Sequence, residues 1–520
     1  MTLVGCAQMS SSSPEPTPDA ASDAPPADPP GQVRTDSGPV TGRDDGAVTA
    51  FLGIPYAAPP VGPLRWRAPA PHEPWAAPLG ATALGPACAQ SDGGLGQAGP
   101  YSEDCLTLNV WTPRGAARAP VMVFIHGGAF IHGSSNQDGY DGRAIASTGT
   151  VVVSLNYRLG ALGFLAHPAL TAEDEHGTSG NFALLDQQMA LRWVQTNIAA
   201  FGGDPGNVTV FGESAGAMSM CAHVVSPLAR GLFHRAIGES GSCTLFSTPL
   251  HAAGASPGAE SLGTAVATTL GCDTADDVVA CMRGKSADEV IAATPVSLDG
   301  VRLQPNIDGY VLAEPPAAAF AGGRINPLDG ILAGTNQDEA TLFTRMQDIE
   351  TEAAYETAVT RLLPSFASDA LALYPAAAYP TPKDAYNALF TDVVFVCPTR
   401  GQLRALAAHG SSAYMYQMTF STAFGTLSSL GVYHGSELPF VFGNLTARSG
   451  LGTAERAFSN QLIGYWTRFA ATGDPNGIGA TPWPSYTAAS DAHLVLGQPI
   501  AASTGLHRAT CDAIATWHAP

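Results

Sequence analysis

Between residues 120 and 225 the chain alternates two kinds of hydrophobic pattern. Val121–Ile125 (VMVFI) and Thr150–Leu155 (TVVVSL) are short runs, apolar along most of their length and rich in Val. Asn207–Phe211 (NVTVF) is a third. Runs of this kind, bounded by turn residues, fit strands buried on both faces. Between the second and third lies Asn181–Ile198 (NFALLDQQMALRWVQTNI), with apolar residues at helical spacing. After the third, the small and apolar residues 217–225 can start a second helix. Strands alternating with helices predict an α/β protein whose large, mainly parallel central sheet is covered by helices on both faces.

Residues 7 to about 34 break this pattern. They are Ser, Pro, Ala and Asp, with no aromatic residue and almost no branched aliphatic one. Such a stretch cannot bury enough surface to offset its ordering entropy, so it reads as a disordered tether. The organisation expected is a tether at 1–34 and a single domain at 35–520. A hydrophobic content of 45% supplies a large core for that domain. The net charge of −20 argues against nucleic acid as a partner, since phosphates need a Lys/Arg surface. No run of 18 apolar residues is present to span a membrane.

The third strand runs into Gly212-Glu213-Ser214-Ala215-Gly216. Strand, tight turn and helix are the context in which a G-x-S-x-G segment exposes a nucleophilic serine. The flanking glycines let strand and helix pack closely. The helix N-terminus favours negative charge developing beside Ser214. The first strand runs into His126-Gly127-Gly128-Ala129-Phe130, where small residues let backbone N–H groups approach a bound carbonyl. Gly128, Ala129 and Ala215 would then donate to a tetrahedral oxyanion. Downstream, Asp338 and Glu339 are both candidate acids. The candidate bases include His409, His434, His493, His507 and His518. The order Ser, acid, His is that of α/β-hydrolases.

With these motifs in place the chain resembles the type-B carboxylesterase/lipase family, which includes the cholinesterases. The matching segments include FLGIPYAAPPVGPLRWRAP (51–69), SEDCLTLNVWTP (102–113), VFIHGGAF (123–130), VTVFGESAGA (208–217), GTNQDEATLF (334–343) and HGSELPFVFG (434–443). The resemblance runs from about Gly38 to Trp517. It implies an α/β-hydrolase fold with a helical cap over an active-site gorge, and a Ser214–Glu339–His434 triad. It also implies salt bridges Arg65–Glu103 and Arg158–Asp186, with Glu213, Ser240 and Glu437 in supporting roles around the triad. The implied disulfides are Cys88–Cys105, Cys272–Cys281 and Cys397–Cys511. Cys221 and Cys243 are left as buried thiols or a fourth pair. One departure bears on specificity: the loop between Cys88 and Cys105 is short and contains no Trp. In cholinesterases that loop carries the Trp that stacks on quaternary ammonium.

The expected function is a serine carboxylesterase acting on uncharged carboxylic esters, with water as second substrate and no metal or organic cofactor. A lipase for longer acyl chains and a non-catalytic adhesion-type relative are the alternatives. Phe130, Phe246, Phe343 and Tyr433 lie near the motifs and are candidates to line the acyl pocket. Disulfides need an oxidising compartment, so export is expected. Leu3-Val4-Gly5-Cys6 resembles the bacterial lipobox, although neither a basic nor an apolar stretch precedes it. A lipid on Cys6 would anchor the chain to a membrane and account for the odd count of nine cysteines. The sequence leaves the oligomeric state open.

Overall fold

The computed structural model describes residues 1–2, 31–91, 100–254, 256–295, 297–298, 301–421, 427–445 and 452–518. The expected lipobox and nearly all of the tether lie outside them. Eleven strands form the main sheet: β1 Arg43–Asp44, β2 Val48–Pro55, β3 Thr107–Pro113, β4 Ala119–Ile125, β5 Val151–Leu155, β6 Gly203–Glu213, β7 Arg235–Glu239, β8 Gly330–Asn336, β9 Ser412–Met418, β10 Ala492–Leu496 and β11 Ala501–Thr504. Their order across the sheet is β11-β10-β9-β8-β7-β6-β4-β5-β3-β2-β1. The strands from β10 across to β5 run parallel. Both margins are antiparallel. This is the large mixed sheet of an α/β-hydrolase.

The uninterrupted apolar runs have their reason in this arrangement. Val121, Val123 and Ile125 of β4 enter the core on one face of the sheet. Met122 and Phe124, between them, enter the core on the other. Val151, Val153 and Leu155 of β5 share the first core, and Val152 joins the second. A strand covered on both sides shows no alternation. The first core is covered by α1 (Phe182–Asn197) and α2 (Ala215–Val225).

A helical segment inserted between β8 and β9 has its own core around Tyr355, Val359, Leu389 and Val393. It contains α3 (Glu352–Leu362), α4 (Pro382–Thr391) and α5 (Cys397–Ala408). The second face of the sheet is covered by α6 (Thr453–Thr472), through Leu462, Trp466 and Phe469. Helix α7 (Arg508–Ala515) follows β11.

Two differences from the sequence reading have physical causes. β6 begins at Gly203 rather than Asn207, because Gly203 pairs with Ala119 before an irregularity that ends at Val208. No hydrophobic pattern marks that extension. Helix α1 also buries polar residues that its apolar spacing does not mark, each of them partnered. Asp186 is fully buried against Arg158, with Oδ1 2.6 Å from the guanidinium. Gln187 donates to Ser219 Oγ at 3.1 Å. Arg65 and Glu103 form the other expected ion pair, with Nε–H donating to Oε1 at 2.7 Å.

Candidate active site

Parallel strands of an open α/β sheet gather their ligand sites at their C-terminal ends. β4, β6, β7 and β8 end at Ile125, Glu213, Glu239 and Asn336. His126 and Ser214 follow directly on the ends of the first two.

Ser214 sits at φ 56°, ψ −123°, half-buried, between β6 and α2. A non-glycine residue in this region costs about 1–3 kcal/mol and persists only where its surroundings enforce it. Here its N–H donates to the Glu239 carbonyl at 2.9 Å, and its carbonyl accepts from Met218 N–H at 2.9 Å. The flanking glycines are needed for space. A Cβ on Gly216 would lie 1.9 Å from the Ile125 carbonyl oxygen, and one on Gly212 would lie 2.5 Å from Gly216 C.

The Gly-rich turn after β4 lies directly against this elbow. A Cβ on Gly127 would come within 3.0 Å of Ser214 Cβ. Gly128, Ala129 and Phe130 all have positive φ, at 114°, 54° and 64°. The N–H groups of Gly128, Ala129 and Ala215 have no acceptor among the described residues. Three unsatisfied donors beside a half-buried hydroxyl make a site for negative charge.

The two candidate acids part company. Glu339 is fully buried, and its Oε2 lies 2.6 Å from His434 Nδ1. Its other oxygen accepts the Asn336 N–H at 2.7 Å. Asp338 instead accepts the Val432 N–H at 2.8 Å. Of the rival histidines, His507 bonds Asp392, and His493 is buried with its Nδ1 unpartnered. His409 packs near Gly323, and the side chain of His518 lies outside the described part.

His434 Nε2 lies 3.1 Å from Glu213 Oε1, yet neither atom is aligned as a hydrogen-bond partner. The distance gives a charge interaction, and the angles leave Nε2 free. Burial pushes the Glu213 carboxyl up to about 7, with Glu339 adding to the rise and His434 opposing it. Burial lowers His434, but the charges of Glu213 and Glu339 outweigh it and raise the imidazole to about 9. Each group's charge therefore sets how readily the other holds its proton.

Glu437 is raised well above the ordinary carboxylate range by burial and by the neighbouring glutamates. One of its oxygens takes a hydrogen bond from Asn336 Nδ2. Ser240 is fully buried at φ 54°, with its hydroxyl unpartnered and its N–H bonded to the Gly334 carbonyl at 2.9 Å.

Some participants were not visible in the sequence. Asn336 ties Glu339 to Glu437 through its backbone and its side chain. Glu239 pairs with Glu213 across β6 and β7 and accepts the Trp466 indole N–H at 2.7 Å. Burial holds it at about 8, against that hydrogen bond. Only the strand register reveals the pair. Of the four candidate lining aromatics, Phe130 and Phe246 are buried against each other, with centroids 6.0 Å apart. Tyr433 meets the site through its backbone, accepting from Asn336. Phe343 is 40% exposed, with its ring centroid 4.9 Å from that of His434.

The model of the carboxylesterase family matches residues 29–514 of this chain. The chain belongs to the carboxylesterase family. This carboxylesterase is 37% identical to the para-nitrobenzyl esterase of Bacillus subtilis (strain 168), over 90% of its own length and 95% of the relative's. It is 36% identical to the fumonisin B1 esterase of Sphingopyxis macrogoltabida, over 91% and 87%. It is also 36% identical to the cholinesterase of Mus musculus, over 90% and 82%. The protein is a carboxylic-ester hydrolase.

The carboxylesterase carries four disulfides among its described residues. Cys88–Cys105, Cys272–Cys281 and Cys397–Cys511 are joined as the family resemblance implied, and Cys221–Cys243 is the fourth. That set fits an oxidising, exported environment. No helix among the described residues is long and apolar enough to cross a membrane.

Proposed function

We propose that Ser214 is the nucleophile of a serine carboxylesterase acting on uncharged carboxylic esters, with His434 as general base and Glu339 as its orienting acid. The observation that carries this reading is the bond from His434 Nδ1 to the buried Glu339, which leaves Nε2 unbonded next to the residue preceding Ser214. His434 takes the hydroxyl proton as Ser214 attacks the ester carbonyl. The oxyanion is held by the N–H groups of Gly128, Ala129 and Ala215. His434 returns the proton to the leaving alcohol, and water activated by the same imidazole cleaves the acyl-enzyme. Glu339 fixes the tautomer and stabilises the imidazolium. Glu213 places its carboxylate charge beside Nε2, and Glu437 and Ser240 shape the surroundings of Glu339 and the elbow.

The relatives are named for esters of fumonisin B1, para-nitrobenzyl alcohol and choline. For this chain, the segment between Cys88 and Cys105 offers no Trp to a quaternary ammonium. Uncharged esters are therefore the preferred class. The Gly-rich residues of that segment, QSDGGLGQAG, give a lipase lid little apolar area. A bacterial lipoprotein, anchored through a lipidated Cys6 on the Ser/Pro-rich tether, is the reading the lipobox resemblance supports. Turnover of a panel of neutral esters of graded chain length, beside the matching choline ester, tests the substrate class. Short neutral esters are expected to have the highest kcat/KM. A higher value for the choline ester or for emulsified long-chain triglyceride would overturn the assignment.

A further inference from the structure

The junction between α4 and α5 does not break. It widens into a single π-helical turn, Asp392–Val396, closed by a hydrogen bond from the Cys397 N–H to the Asp392 carbonyl. Turns of this kind recur at functional sites because the extra residue re-aims the side chains around it. The side chain presented here is Phe395, which is buried. Its ring centroid lies 4.8 Å from that of His434 and 5.9 Å from that of Phe343.

His434 needs such a neighbour. Its imidazole has one hydrogen bond, through Nδ1 to Glu339, and Nε2 has none. One bond fixes a point on the ring but leaves the ring plane free to tilt about it. Phe343 also touches the imidazole, but its ring is 40% exposed and itself leans on Phe395 and Phe390. Phe395 is the buried ring against the imidazole.

The π-turn is fastened to the C-terminal segment at both ends. At its start, one oxygen of the buried Asp392 accepts the Tyr374 hydroxyl at 2.6 Å, and the other meets His507 Nδ1. At its end, Cys397 is joined to Cys511. His507 precedes α7 in the left-handed conformation, at φ 47°.

We propose that this turn is a positioning device for the catalytic base: Phe395 fixes the plane of the His434 ring, and the His507–Asp392 clasp keeps Phe395 in place. The inference rests on His434 acting as the base, which loss of turnover in a folded His434→Ala tests separately. The experiment is steady-state kinetics on a short-chain p-nitrophenyl ester, with thermal melting run alongside. A displacement of about 1 Å in a reacting group can cost about 100-fold, so Phe395→Ala should lower kcat by about 10- to 100-fold. KM should stay within about twofold, since the loss falls on the transition state. Phe395→Leu should recover most of kcat. His507→Ala should lower kcat by about threefold through a partial displacement, and His507→Arg, which keeps the ion pair, should restore it.

A raised KM at unchanged kcat in Phe395→Ala would make Phe395 a substrate contact and overturn the proposal. So would wild-type kcat in a folded Phe395→Ala, or a lower melting temperature at wild-type kcat in His507→Ala. Should Phe395→Ala fail to fold, His507→Ala decides alone, because its side chain is 42% exposed and tolerates truncation.

Discussion

Glu213 and His434 set the pH response of the site at the scale of single residues. The ionised Glu213 carboxylate favours the imidazolium and so raises the pH below which the base is lost. Glu213→Gln removes that charge. The acid limb of its kcat profile should move to lower pH than in the wild type, read from rates between pH 4 and 9, and an unmoved limb would show that Glu213 does not act on Nε2. At this scale the sequence was informative where function resides in local motifs. Ser214 and His126-Gly127-Gly128-Ala129 announce themselves as turns after strands. Asp338 and Glu339 did not separate without the family resemblance, because adjacent residues share every local signal. The roles of Asn336 and Glu239 come from strand register and side-chain reach.

The elements that carry the site are tied together by covalent links as well as packing. Cys221, in α2, is joined to Cys243 just beyond β7. This closes the chain over the helix that follows Ser214. The double variant Cys221→Ala/Cys243→Ala should lose about 3 kcal/mol, the amount expected for closing a loop of that order, measured by denaturant unfolding against the oxidised wild type. An unchanged unfolding midpoint would assign the pair no stabilising role. Continuous Val-rich runs gave away β4 and β5, because both of their faces are covered. The early start of β6 and the π-turn before α5 have no hydrophobic signature. One follows from pairing with β4, and the other from contacts with a segment more than a hundred residues away.

Over the whole molecule, α/β class and the parallel sheet followed from the alternation of patterns, whereas the separate core between β8 and β9 did not. Its helices look like any others until their contacts are known. The overall balance of buried charge also emerges only in three dimensions. Glu239 has its folded pKa raised from 4.5 to about 8. A raised folded value means its contribution to stability is fully present below the unfolded pKa and is lost as pH rises through about 8. Glu239→Gln, which keeps an acceptor for Trp466, should therefore gain in melting temperature relative to the wild type as pH climbs from 4.5 to 8. A constant difference across that range would mean that folding does not raise the proton affinity of Glu239.

The most direct test of the account is mass spectrometry of the protein after reaction with an organophosphate ester, beside hydrolysis of a p-nitrophenyl ester. The wild type should take up one phosphoryl adduct, on the peptide containing Ser214, in step with loss of turnover. Ser214→Ala should take up none and lose activity by about 10⁴-fold or more. An adduct on another residue, or a Ser214→Ala variant that still turns over the ester, would contradict it.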